Sequence, residues 1–266
     1  ADVGVRGSAV WALGQIEDPS ATGAVAARLK DRDPGVRILA ADALGQIEDS
    51  AGTSALVAVL GTDDLALKRA AVDALGQIED PAATMPLVRL LSDPNAEVRR
   101  DVANALGQIE DARAVPGLVK ALGDQNAEVR EAAANALGQI EDPSAARPLA
   151  QALSDPNPAV RMAAIDALGQ LDDVTTAPPA LVAALKNANP EIRIRAAEAL
   201  GQIEDPNTVA ALGAAMSDPN AKVRLAAAEA LSQIESDAVT PYFIAAMKDS
   251  SPEVRRTAAE ALGERN

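Results

Sequence analysis

The side chains able to do chemistry here are carboxylates, amides and guanidiniums, because the chain contains no histidine and no cysteine. That rules out Ser-His-Asp and Cys-His nucleophiles and removes the commonest general base at neutral pH, which is also the commonest metal ligand. The acids follow a rule of spacing. Asp42, Asp73, Asp166, Glu198, Glu229 and Glu260 occupy one position of a recurring segment, whose other copies carry Trp11, Asn104 and Asn135 there. Beside them runs a second column: Gln15, Gln46, Gln77, Gln108, Gln139, Gln170, Gln202 and Gln233. Paired carboxylates do acid–base work only when held a few ångströms apart in unlike environments. A regular column gives like environments separated by a helix-packing distance, on the order of 10 Å, which is also too far to share one metal ion. Such a column can solvate a face, the plainer reading, or raise a negative potential that steers a basic partner. Neither catalytic, nor metal, nor cofactor-binding residues are expected.

The elements that must position these columns are set by the seven residues ALGQIED, first met at Ala12 and returning at Ala43, Ala74, Ala105 and Ala136, then as variants from Ala167, Ala199, Ala230 and Ala261. The step is 31 residues except for one of 32 between Ala167 and Ala199. A fixed period of this size marks stacked supersecondary units. In the copy running from Asp80 to Asp111, Asp80-Pro81 is a start signal for a first helix, A, with Leu87, Val88, Leu90 and Leu91 as its apolar side. Ser92-Asp93-Pro94-Asn95 repeats the signal for a second helix, B, in which Val98, Val102, Ala105, Leu106 and Ile109 form one stripe of 3.6-residue period. Gly107, near the end of helix B, suits either a left-handed cap or a point of close approach between repeats.

This grammar predicts an all-α chain of 17 helices forming a single domain over 1–266, with an orphan B helix over 1–16 and full A–B pairs from about 17 to 266. The mid-repeat start and the finish directly after a B helix suggest a segment of a longer array, since terminal repeats normally carry a polar cap. Trp11, Tyr242 and Phe243 are candidates to substitute for such caps, and Pro178-Pro179 with the extra residue of the stretch from Asp172 to Asn189 predicts a local change of twist. Hydrophobic residues make up 48% of the chain with one Trp, one Tyr and one Phe, so the core is built from Leu, Ile, Val and Ala. A net charge of −15 argues against a nucleic-acid backbone or an anionic membrane surface as partner. No run is long and apolar enough to read as a membrane span.

Asp93, Asp124, Asp155, Asp218 and Asp249 each stand six residues before Arg99, Arg130, Arg161, Arg224 and Arg255, and Asp31 stands six before Arg37. With the AA-x-ALGxI helix, this D-x5-R pair resembles the short bacterial HEAT-like repeat, the type named for phycobilisome lyases and copied in artificial alpha-repeat proteins. The resemblance covers essentially the whole chain. It implies a right-handed α-solenoid of about 8.5 repeats of 31 residues, a ladder of those Asp and Arg side chains between successive repeats, and B helices lining a concave face. Lys68 has Thr62, and Arg193 has Asn187, where the acid should be, so the ladder is expected to be broken or water-bridged there.

Positions left free by core and ladder form the candidate binding face: Glu97, Arg100 and Asn104 in one repeat, Glu128, Glu131 and Asn135 in the next, then Met162, Asp166, Ile194, Arg195, Glu198, Leu225 and Glu229. Met162, Ile194 and Leu225 are consecutive in one column and predict a short apolar strip, either a contact surface or packing between neighbouring helices. The expected function is a non-enzymatic scaffold or sensor module, a monomer that binds a basic or partly apolar protein or peptide. Two alternatives are a lyase-like or chaperone subunit for a chromophore-bearing protein, and a designed or consensus-derived repeat protein without a natural ligand.

Overall fold

The computed structural model describes residues 2–171 and 174–264. Asp172 and Asp173, at the start of the stretch carrying the extra residue, lie outside the described residues, as do Ala1, Arg265 and Asn266. The chain forms two compact units, Ala1–Ile140 and Glu141–Asn266. The first contains α1 (Val3–Ile16), α2 (Thr22–Ala26), α3 (Pro34–Ile47), α4 (Thr53–Val59), α5 (Leu65–Ile78), α6 (Thr84–Leu90), α7 (Ala96–Ile109), α8 (Val115–Ala121) and α9 (Ala127–Ile140). The second contains α10 (Ala146–Ala152), α11 (Pro158–Gln170), α12 (Pro179–Ala184), α13 (Pro190–Ile203), α14 (Val209–Ala215), α15 (Ala221–Gln233), α16 (Thr240–Ala246) and α17 (Pro252–Glu264). All 17 α-helices of the described residues therefore alternate short and long, and no strand is present among those residues. The long odd-numbered helices are the B helices; within each unit they pack on one another in sequence, and each short A helix packs on the B helix that follows it.

The repeated heptapeptide has one physical task per residue. In α7, Ala105 and Leu106 are buried with Val98, Val102 and Ile109, as the 3.6-residue stripe predicts. Gly107 is not the left-handed cap. That conformation falls to Glu110, at φ 54°, whose amide closes onto the Gly107 carbonyl, and to Glu17, Glu48, Glu79, Glu141 and Glu204 in equivalent places, all at positive φ. The aspartate that follows then caps the next turn: Asp111 accepts from the Arg113 amide at 2.9 Å. Helix A is thus entered through a 3-10 turn, Pro81–Ala83 in the reference repeat, and is only seven residues long. Of its four apolar residues only Leu87 is fully buried, and Val88, Leu90 and Leu91 are half-buried. Where Pro178-Pro179 stands, α12 starts directly at Pro179, without a 3-10 turn among the described residues.

The cap of helix B also differs from the Asp-Pro expectation. Asn95, not Asp93, caps α7 by accepting from the amides of Glu97 and Val98 at 2.8 and 3.3 Å. Asp93 is displaced from capping because its Oδ1 accepts from the Asn95 amide and its Oδ2 from Lys68. Of the aromatic residues, Phe243 is fully buried in the column held elsewhere by Leu87, Leu118, Leu149, Leu181 and Leu212, whereas Trp11 is 57% exposed. Burial of each such side chain contributes about 1.5–3 kcal/mol.

The conserved space at glycine sets how closely B helices meet. A Cβ on Gly107 would lie 3.0 Å from Ala136 Cα and would also strike the Gln139 side chain; on Gly76 it would lie 3.1 Å from Ala105 Cα and strike Gln108. The same pair of neighbours, an alanine backbone and a glutamine oxygen, faces Gly14, Gly45, Gly169 and Gly201. Ser232 takes this position in α15, where its Oγ turns back to donate to the Glu229 carbonyl at 2.7 Å. The α15–α17 packing is the sparsest of any successive B-helix pair within a unit.

Gly107→Ala is expected to destabilise the chain by about 1–3 kcal/mol through overpacking against backbone, despite alanine's better helix propensity. Gly23→Ala, whose new methyl meets nothing within 4 Å, is expected to be neutral or to stabilise by about 0.5–1 kcal/mol. Urea unfolding followed by circular dichroism checks the pair. Equal stability of the two variants would remove close approach as the reason for the glycine.

Candidate functional site

The surface of the B helices opposite the A-helix layer carries the residues expected to bind. Glu97, Asn104, Glu128, Asn135, Glu198 and Glu229 are exposed there, and Arg100, Glu131, Asp166 and Arg195 are half-buried. Met162, Ile194 and Leu225 are half-buried as well, so the apolar strip is partly covered by its neighbouring helices and partly open. In the first unit the face is tied together by ion pairs between repeats. Arg69 reaches Asp101 at 2.6 Å and also Glu97, and Arg100 reaches Asp101 at 2.9 Å and Glu128 at 3.0 Å. Asp101 is among the free positions of the α7 face and Arg69 stands in the Arg100 column one repeat earlier; the pair is separated by one repeat plus one residue, an acid 32 residues after an arginine. In the second unit Arg195 stands among Glu198, Glu191 and Asp166 at 3.4, 3.7 and 3.9 Å. The glutamine column contacts itself at Gln15 Nε2, which donates to Gln46 Oε1 at 3.1 Å.

The face is electrostatically uneven. Desolvation, with the charge of Asp73 beside it, raises the pKa of Asp42; desolvation, with Asp101, raises that of Asp73. Asp166 is raised by desolvation and by Glu191, against the opposing effect of Arg195. Asp42 and Asp73 have no ion-pair partner among the described residues, whereas Asp166 has Arg195 at 3.9 Å. Elsewhere the acids are well supplied: the Arg6 guanidinium and the Asp33 amide hold Asp31 at about 2, and Arg113 is the main cause of the similar value of Asp111.

The ladder joins a cation of one repeat to the acid of the following repeat. Arg6 donates to both oxygens of Asp31 at 2.8 Å. Lys68 meets Asp93 at 2.8 Å, Arg99 meets Asp124 at 2.7 Å, Arg193 meets Asp218 at 2.8 Å and Arg224 meets Asp249 at 2.8 Å. Its own acid, six residues earlier, serves each arginine only through the backbone carbonyl. Arg37 donates to Asp31 O at 3.1 Å, Arg99 to Asp93 O at 2.8 Å, Arg130 to Asp124 O at 2.8 Å, Arg161 to Asp155 O at 2.7 Å, Arg224 to Asp218 O at 2.9 Å and Arg255 to Asp249 O at 2.6 Å.

The expected breaks at Lys68 and Arg193 are therefore absent, because each takes its carboxylate from the following repeat, Asp93 and Asp218, and not from the position of Thr62 or Asn187. Arg193 donates to Asn187 O at 2.8 Å while holding Asp218. The irregularities fall one repeat earlier. Opposite Thr62, Arg37 reaches instead to Asp64 at 3.1 Å, and opposite Asn187, Arg161 Nε is buried without a hydrogen-bond partner among the described residues. An interval of 25 residues, rather than six, was the signal in the sequence: Lys68 and Arg193 lack an acid six residues before them yet have one 25 residues after.

With this geometry in place, the family model for HEAT repeats matches residues 1–67, 53–127, 115–187 and 178–263. The chain belongs to the HEAT-repeat family. HEAT repeats make it a scaffold of the protein-interaction class. No curated protein matches the sequence. Among solved structures, this HEAT-repeat chain is similar to an engineered protein, with 24% identity over 98% of this chain and 85% of the other and a TM-score of 0.62, a likeness of fold alone. It is also similar to the complex of CpcE and CpcF of phycocyanin lyase from Nostoc sp. PCC7120, with 26% identity over 84% of this chain and 92% of that one and a TM-score of 0.52. No helix of the described residues is long and apolar enough to cross a membrane.

The two classes of carboxylate give opposite pH dependences. Asp31, depressed from 3.8 to about 2, contributes stability that is complete above its unfolded value and is lost as pH falls toward the folded one. Asp42 and Asp73, raised above 3.8, are destabilising once ionised, and that effect disappears as pH falls below their unfolded value. The double variant Asp42→Asn/Asp73→Asn is expected to be more stable than the original at neutral pH by less than about 1 kcal/mol, given solvent screening. The difference should vanish in acid. Urea melts across pH check this, and a gain that persists in acid would contradict it.

Proposed function

We propose that the chain is a non-enzymatic scaffold or sensor module that binds a protein or peptide on the solvent face of its B helices. Membership of the HEAT-repeat family supports the scaffold. The observation that carries the choice of face is the under-neutralised pair Asp42 and Asp73 on B helices α3 and α5, each carboxylate desolvated and facing a further carboxylate, Asp73 and Asp101 respectively. Such a face gains most from a partner that brings positive charge, since each incoming cation removes repulsion as well as adding attraction. In the second unit the half-buried Met162, Ile194 and Leu225 add apolar area beside Asp166, Glu198 and Glu229, which suits a partner segment mixing basic and apolar residues.

A second reading draws on the likeness to the CpcE–CpcF complex of phycocyanin lyase: a lyase-like or chaperone subunit for a chromophore-bearing protein. It predicts a visible absorption change when the chain is mixed with a bilin or a bilin-bearing protein.

Affinity capture from the source's lysate, with the original chain and with Met162→Ser/Ile194→Ser/Leu225→Ser and Asp42→Asn/Asp73→Asn, tests the first reading. All three proteins are checked for equal helicity. A partner held by the original in a salt-sensitive manner and lost by at least one variant is expected. Retention of every partner by both variants would sink the choice of face.

A further inference from the structure

Arg161 is an arginine poised for a rung that its own chain does not complete. In the regular rungs, aspartate Oδ1 accepts a backbone amide two residues on, and Oδ2 accepts the Nε of the arginine from the repeat before. Asp218 shows both, taking the Asn220 amide at 2.8 Å and Arg193 Nε at 2.8 Å. At the matching place for Arg161 stands Asn187, whose Oδ1 accepts the Asn189 amide at 2.9 Å. That bond fixes the orientation of the amide. Its Nδ2, a donor, therefore stands where the other rungs present Oδ2, an acceptor. Arg161 is nonetheless held as the other ladder arginines are, with Nη1 donating to Asp155 O at 2.7 Å and Pro156 O at 3.1 Å. Its Nε is buried and meets no acceptor among the described residues, a loss that ordinarily carries the full desolvation penalty of a charged donor.

A cavity of about 230 Å³ opens at this rung, lined by Arg161, Asn187 and Ser154 at its polar side and by Ile165, Ala180 and Ile192 among its apolar residues. The polar side offers one guanidinium fork, an amide NH2 and a hydroxyl. A carboxylate matches a guanidinium fork with two parallel hydrogen bonds, and its remaining lone pairs suit Asn187 Nδ2 and Ser154 Oγ. One cation balances one negative charge. The apolar remainder offers nothing to the further oxygens of phosphate or sulfate and suits a short hydrocarbon chain.

We propose that this cavity binds a short aliphatic monocarboxylate, whose head group occupies the place of the missing aspartate on Arg161 and whose chain lies against Ile165, Ala180 and Ile192. The site lies within the 32-residue step. Arg161 and Asn187 flank the extra residue, so the array carries the site at that step and completes its rungs internally at Arg99, Arg193 and Arg224.

The test follows the Nε–Hε resonance of Arg161 in the 15N-labelled full chain, assigned by its loss in Arg161→Lys. Sodium butyrate is titrated at constant ionic strength, with sodium chloride and inorganic phosphate as separate arms. Butyrate is expected to shift the resonance saturably while the other two leave it in place. In Asn187→Asp, which installs the side chain of the regular rungs, the resonance should start shifted and butyrate should bind at least about tenfold more weakly. Ala180→Leu, which narrows the apolar part and leaves the fork intact, should weaken butyrate more than acetate. A resonance indifferent to butyrate, or equally responsive to chloride or phosphate, would overturn the proposal. So would equal butyrate binding by the original and Asn187→Asp, or equal effects of Ala180→Leu on acetate and butyrate.

Discussion

The approach of one B-helix backbone to the next, at the glycine of each ALGQI segment, is the constraint on which the other interactions depend. With Ala136 Cα only 3.0 Å from where a Gly107 Cβ would stand, two helices meet at their narrowest side chains. The alanines of each B helix then become core residues rather than gaps, and Leu106 and its counterparts close the space toward the A helices. This explains how a chain with a single residue each of Trp, Tyr and Phe still buries a core of Leu, Ile, Val and Ala. Close packing of small side chains replaces bulk. It also fixes where the glutamines go: they lie over the glycine of the preceding repeat, part of the packing as well as of the surface.

Helix ends are dealt with locally, which lets the same contact recur. Six B helices, α1, α3, α5, α7, α9 and α13, stop on a glutamate in the left-handed region, a conformation costing a non-glycine residue roughly 1–2 kcal/mol, and the next residue caps the following turn; α11 and α15 end instead on the extended residues Leu171 and Ile234. The ladder then ties one repeat's arginine to the next repeat's aspartate. Bonds to carbonyls orient the guanidinium, and carboxylates neutralise it. Because the two roles belong to different repeats, the loss of an acid at Asn187 leaves Arg193 fully satisfied and unsettles Arg161 instead.

Much of the fold was legible in the sequence because periodicity is a global signal, repeated often enough to override local ambiguity. The buried stripe of Val98, Val102, Ala105, Leu106 and Ile109 could be read directly. Two local matters could not. Choosing Asn95 over Asp93 as the cap requires knowing that Lys68, from the previous repeat, already occupies Asp93. Choosing the next acid over the preceding one for each arginine requires the spatial register of neighbouring repeats, since six and 25 residues add up to the same period. At the B-helix face the sequence located the columns of charge, yet which acids lie next to a cation, as Asp101 does and Asp42 does not, depends on side-chain reach across helices.

The near-identity of the repeats has a consequence for how the chain finds its register while folding. Every ALGQI face is shaped to receive the alanine backbone of any other, so a B helix could dock out of order with little loss of packing, a known hazard of repeat proteins. The irregular rungs break that degeneracy. Arg37 finds its acid two residues late at Asp64, and Lys68 reaches Asp93 as an amine rather than a fork. Ser232 stands where the other B helices carry glycine, its hydroxyl turned back onto the Glu229 carbonyl. Departures from the consensus thus act as addresses, marking which neighbour belongs to which in an array whose regular parts cannot tell themselves apart.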